Sequence, residues 1–93
     1  MAKKIQLSDH FGKMIITRNA IINLFDFINQ LSEKGILIDF KDIEFISRSC
    51  ADEYMKRKLI SDKQIKEKNI LPNILAMFLL VTKQNRNSRM LTG

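Results

Sequence analysis

The sequence predicts a small α/β domain, a short mixed β-sheet with helices packed on it. Three observations carry that reading. Residues 18–34 repeat apolar side chains at steps of three and four, the period of an amphipathic helix. "ILIDF" (36–40) is a continuous, β-branched run of strand length. The one follows the other directly, as half of a βαβ unit does.

The elements follow in order. "KKIQL" (3–7) alternates polar and apolar residues and suits a short strand. In "SDHFGKMIIT" (8–17), Gly12 marks a turn, Met14, Ile15 and Ile16 suit a second short strand, and Thr17 suits a helix N-cap. From Arg18 to about Lys34, residues Ala20, Ile21, Leu24, Phe25, Ile28 and Leu31 form one apolar stripe, and Gly35 stands where a C-cap glycine is expected. "ILIDF" then reads as an interior strand covered on both faces. "IEFIS" (43–47) carries the chain over the sheet edge. A second helix is expected from about Cys50 to the mid-60s, with Ala51, Tyr54, Met55 and Leu59 on its apolar side.

"KQIKEKNI" (63–70) fits either the frayed end of that helix or an edge strand. After Pro72, "NILAMFLLVTKQ" is helical by length and composition, with no polar face between Ile74 and Val81. A helix apolar all round is buried on more than one side. Either it is central, or a partner chain covers its second surface, which makes a homodimer through 74–81 an expectation.

Ninety-three residues make one domain, 1–93, with 45% apolar and 28% charged residues, an ordinary globular balance. A single cysteine, Cys50, leaves no intramolecular disulfide and fits a reducing compartment. "MAKKIQLSDH" has no apolar segment behind its lysines, and the longest apolar run, 74–81, is far short of the roughly 20 residues that span a bilayer. These features predict a soluble cytoplasmic protein. The net charge is +6, and residues 61–93 carry six basic and two acidic side chains. Residues 83–93, with Lys83, Arg86 and Arg89, are expected to form a flexible basic tail. That tail suggests an alternative function, a small basic nucleic-acid-binding protein using its C-terminal third. No basic stretch is interleaved with aromatics, and neither a helix-turn-helix nor a zinc pattern is present.

Little points to catalysis. Cys50 and His10 are the only cysteine and the only histidine, forty residues apart, and Asp52 and Glu53 oppose a thiolate at Cys50. No His/Cys/carboxylate group has metal-ligand spacing, and no phosphate-binding glycine loop is present. The expectation is a non-enzymatic protein without cofactor or metal. "SRSCADE" (47–53) reads first as a helix start. Ser49 and Asp52 approximate a capping box, and the acids Asp52 and Glu53 precede Lys56, Arg57 and Lys58 in the order the helix dipole favours. Glu53 and Arg57 form an i, i+4 pair.

The same block carries a resemblance. "ILIDF", the short "KDIEFI" connection and serines opening a helix look like the core of a STAS domain. "IDF…I…IS.S.ADE" is similar to a STAS-like family of bacteria and archaea, whose pattern is Ser-x-Ser-Phe-Ala-Asp-Glu. Arg18 and Ala20 in "GKMIITRNAI" match residues that precede its first helix. The resemblance covers residues 12–58, and Cys50 departs from it where an aromatic residue is usual. It implies a small α/β binding module like the anti-sigma factor antagonists, in which a partner kinase phosphorylates the second serine of an Asp-Ser-Ser-Gly motif. Ser49 matches that serine, whereas Ser47 replaces the aspartate, Arg48 the first serine, and no glycine follows. The resemblance thus implies a protein partner, a serine kinase or an ATPase-type regulator. It would dock on Ser47, Arg48, Ser49, Asp52, Glu53, Lys56 and Arg57, with Ser49 as the phosphoacceptor.

Overall fold

The computed structural model describes residues 2–92, with side chains as far as Gln84. The chain runs β1 (Lys3–Gln6), α1 (Ser8–Phe11), β2 (Met14–Ile15), α2 (Arg18–Gln30), β3 (Gly35–Asp39), β4 (Phe45–Ile46), α3 (Arg48–Ile60), β5 (Gln64–Lys68) and α4 (Pro72–Thr92). It is a small α/β fold. The strands form two sheets, one in the order β1-β3-β5 and one pairing β2 with β4. Where a mixed sheet was expected, every described pairing is parallel. Each strand of the larger sheet returns through a helix, α2 or α3, and such crossovers bring the next strand in with the same direction.

Register fixes what each face of this sheet shows. Ile36 lies between Lys3 and Ile65, and Ile38 between Ile5 and Glu67; the isoleucines of these rows enter the core. The alternate rows, Lys4–Leu37–Lys66 and Gln6–Asp39–Lys68, point away from it. So β3 is the central strand, but the two faces of "ILIDF" differ: Ile36, Ile38 and Phe40 are fully buried in the core, whereas on the other face Leu37 is half-buried and Asp39 is buried as a charged group.

One cluster forms the core, with Tyr54 of α3 at its aromatic centre. Its ring lies 5.4 Å from Phe25 of α2, 6.0 Å from Phe40 and 5.0 Å from Phe78 of α4. The α2 stripe behaves as its spacing requires, with Ile21, Leu24, Phe25 and Ile28 buried. That helix, however, ends at Gln30 rather than near Lys34, and Gly35 opens β3 instead of capping it. Leu31 turns extended, and the Lys63 ammonium takes over the C-terminal end by donating to the carbonyls of Leu31 and Glu33.

"KQIKEKNI" resolves as the edge strand β5, whose exposed residues Gln64, Lys66 and Lys68 blunt a free strand edge. Residues 8–11, which the sequence pattern assigns to no element, form the short helix α1, which Gly12 ends at φ 69°. In α4, Ile74, Phe78 and Val81 are buried, whereas Leu75, Leu79 and Leu80 are exposed. One side of this all-apolar stretch is therefore covered by the described chain, not more than one. The basic tail expected over 83–93 continues the α4 backbone to Thr92, and its side chains from 85 onward lie outside the described residues. No helix among the described residues is long and apolar enough to cross a membrane.

Candidate functional site

The junction at 47–53 is built on Ser47. Its backbone is extended (φ −71°, ψ 156°), and its Oγ accepts the amide of Cys50 at 3.2 Å. Ser47, not Ser49, is thus the N-cap of α3. The register of the helix moves accordingly: α3 starts at Arg48, no acid lies in its first turn, and the pairing of Ser49 with Asp52 is not a capping box. The sequence offers two serines two residues apart, and only the backbone decides which of them is still extended. Ser47 Oγ also donates to the Ile16 carbonyl at 3.2 Å. Its single proton is then used, so the 3.3 Å approach of the two hydroxyls has Ser49 as donor. Ser49 itself is exposed. Arg48 reaches across to the Gln84 side-chain carbonyl of α4.

Cys50 is fully buried on the inner side of α3 with Ala51 and Tyr54. His10 stands elsewhere, on α1, with its ring 6.3 Å from that of Phe27. The structure does not bring these two together.

At 3.6 residues per turn the inward face of α3 is Cys50, Ala51 and Tyr54, which leaves Ser49, Asp52, Lys56, Leu59 and Ile60 along the outer side. Lys56 pairs with Asp52 at 2.9 Å and Arg57 with Glu53 at 2.8 Å, both four residues apart. Of the residues expected to meet a partner, Arg48, Ser49 and Lys56 are exposed, whereas Ser47, Asp52, Glu53 and Arg57 are half-buried. Glu53 and Arg57 lean toward the packed flank, so their pairing serves the helix first.

Two groups escaped the sequence reading. Leu59, expected on the buried side, is 69% exposed, and Ile60 is 80% exposed. They continue the outer line of α3 with apolar surface. At the other end of the helix, Met14 and Phe45 are register partners on the outer face of the β2–β4 sheet, and both are exposed, as is Ile16. The Ser47–Ile16 bond sets this apolar group beside the serine turn. Strands of two residues have too little alternation to announce such a pairing. Leu59 and Ile60 were legible, since the helical wheel from Ala51 and Tyr54 places them outside.

A buried electrostatic group lies at the end of β3. Asp39 is only 2% exposed. It accepts bonds of 2.9 Å from the Lys41 amide and the Asn69 side chain, and faces Lys4 at 3.5 Å and Lys68 at 3.8 Å. Burial pushes its carboxyl up, but the Asn69 and Lys41 bonds and the two ammonium groups outweigh burial and hold it below the ordinary value.

No family model matches the chain, and no curated protein or solved structure is significantly similar to it.

Proposed function

We propose that this protein is a non-enzymatic, cytoplasmic regulatory module of STAS-like type that captures a protein partner on the outer face of α3. The single observation that carries the reading is the run of Ser49, Lys56, Leu59 and Ile60 along that exposed face, with large apolar side chains left in water at its end. Isolated exposed leucines are ordinary, but apolar anchors beside charged groups on one helical face are how interfaces concentrate their energy. Met14, Ile16 and Phe45 extend the surface past the serine turn. The partner is a serine kinase or an ATPase-type regulator, as the resemblance of "SRSCADE" implies.

Control by phosphate at Ser49 belongs to the same reading. Its hydroxyl is exposed, whereas that of Ser47 is committed to capping and to Ile16. A phosphate there would meet the amides of the first turn and the Arg48 guanidinium. Affinity capture from native cytosol tests the proposal. A kinase or ATPase-type regulator should be retained by the wild type and lost by Leu59→Asp/Ile60→Asp, with the melting temperature little changed. Equal capture by the double variant removes α3 as the docking face.

A further inference from the structure

An all-parallel sheet is ordinarily covered on both faces. Here the described helices share one buried cluster with Ile5, Ile36 and Ile38, and on the opposite face of β1-β3-β5 Lys4, Lys66 and Lys68 stand exposed while Gln6 and Leu37 are half-buried. Its outward positions are Lys4, Leu37 and Lys66 in one row and Gln6, Asp39 and Lys68 in the next. Three ammonium groups thus stand on about 10 Å of sheet width, given the roughly 4.8 Å between strands. The only acid among these six, Asp39, is buried beneath the face and held by Asn69, the Lys41 amide, Lys4 and Lys68. Next to the first row, Ser32, Glu33, Lys34, Gly35, Gln64 and Lys66 line a shallow basin of about 720 Å³, in which Glu33 is half-buried and accepts from Ser32 while Lys34 and Lys66 are exposed. Neither Lys34 nor Lys66 has an ion pair among the described residues.

We infer that this sheet face binds the phosphodiester backbone of duplex nucleic acid, without reading sequence. A second copy of the chain is disfavoured there, because the two faces carry the same charge. An acidic protein surface needs apolar anchors to hold it, and the face offers only the half-buried Leu37. A phosphate backbone needs only cations and donors. No aromatic side chain stands in the six outward positions, so stacked single strands gain nothing over a duplex, whose charge density is higher. This surface lies on the other side of the sheet from α3, so the two can be occupied together.

The experiment is fluorescence anisotropy of a labelled random-sequence duplex with the full chain at low salt. Three to four lysines at the backbone give a slope of log K against log[salt] of about −3. Lys66→Glu with Lys34→Glu should weaken binding roughly tenfold or more while the circular dichroism and melting temperature stay unchanged, since neither lysine pairs with Asp39. Arg86→Gln/Arg89→Gln and Leu59→Asp/Ile60→Asp should leave duplex binding in place, which separates this face from the C-terminal residues and from α3. Any of four results overturns the inference. They are no binding at low salt, binding indifferent to the Lys66/Lys34 variant, loss through the Arg86/Arg89 variant instead, or displacement by polyglutamate or anionic vesicles at matched charge.

Discussion

The phenol of Tyr54 donates a 2.7 Å hydrogen bond to the Glu67 carboxylate, joining the buried centre of α3 to the edge strand β5. Lys58 closes the group by donating to the other oxygen of Glu67 at 3.0 Å. The edge strand, with only half-buried apolar contact of its own, is therefore tied to α3 by a part-buried polar bond in addition to its ladder with β3. Tyr54→Phe keeps the ring packing and removes this bond to a charged acceptor, so it should cost about 1.5–3 kcal/mol in urea unfolding. Tyr54→Ala, which also opens a cavity among Phe25, Phe40 and Phe78, should cost about 3–5 kcal/mol. Burial, then the charge and hydrogen bond of Glu67, raise the Tyr54 pKa well above the ordinary 10.0. A raised folded-state value gives stability that is complete below pH 10.0 and lost as pH climbs toward the folded value. The alkaline loss should be smaller in Tyr54→Phe.

Asp39 has the opposite sign. Its pKa is lowered in the fold, so its contribution is present above the ordinary 3.8 and lost as pH falls through the folded value. Asp39→Asn should flatten this acid limb of the stability curve. Its partner Asn69 sits at φ 60°, a left-handed conformation that asparagine tolerates and alanine does not. Asn69→Ala should therefore be about 1 kcal/mol worse than Asn69→Gly, since both lose the bond to Asp39 but only alanine adds strain. Equal losses in denaturant titrations would show that the bond alone matters.

These two carboxylates mark the division between what the sequence displays and what it hides. The α2 stripe, the central β3 strand and the helix after Pro72 are local patterns: periodicity locates the first, a β-branched run of strand length the second, and length and composition the third. The end of α2 was missed because the chain just beyond it is held at the Leu31 and Glu33 carbonyls by Lys63, thirty or more residues away, rather than capped by Gly35. The ambiguity of 63–70 closes only when Ile65 finds Ile36 across the sheet, a pairing no local pattern encodes. In the site, Ser49, Lys56 and Arg48 were readable from the helix start. Met14 and Phe45 were not, because a pairing of two-residue strands far apart in the chain creates their surface.

Ser47 and Ser49 separate by stability. Ser47→Ala removes the N-cap acceptor and the tie to Ile16, and should cost about 1 kcal/mol, within the usual 0.5–2 kcal/mol of capping substitutions. Ser49→Ala removes an exposed hydroxyl and should stay within about 0.5 kcal/mol. If Ser49 proves the costlier of the two in thermal melts, the cap has been assigned to the wrong serine. Intact-mass analysis of the protein recovered from native cytosol checks the phosphate separately, with Ser49→Ala expected to abolish any single-phosphate species.

The exposed leucines of α4 bear on self-association. From Asn69 to Thr82 the chain carries no charged residue, and Leu75 and Leu79 stand one helical turn apart on the exposed side. Two copies can bring these rows together without burying a charge, which an acidic or basic partner surface could not do. Each copy carries +6, so the encounter is opposed by long-range repulsion. Added salt screens that repulsion. Sedimentation equilibrium at high micromolar concentration should therefore show association that strengthens with salt, opposite in sign to duplex binding. Leu75→Glu/Leu79→Glu should return the protein to monomer with its fold intact. A wild type that stays monomeric at high salt removes α4 as a self-association surface.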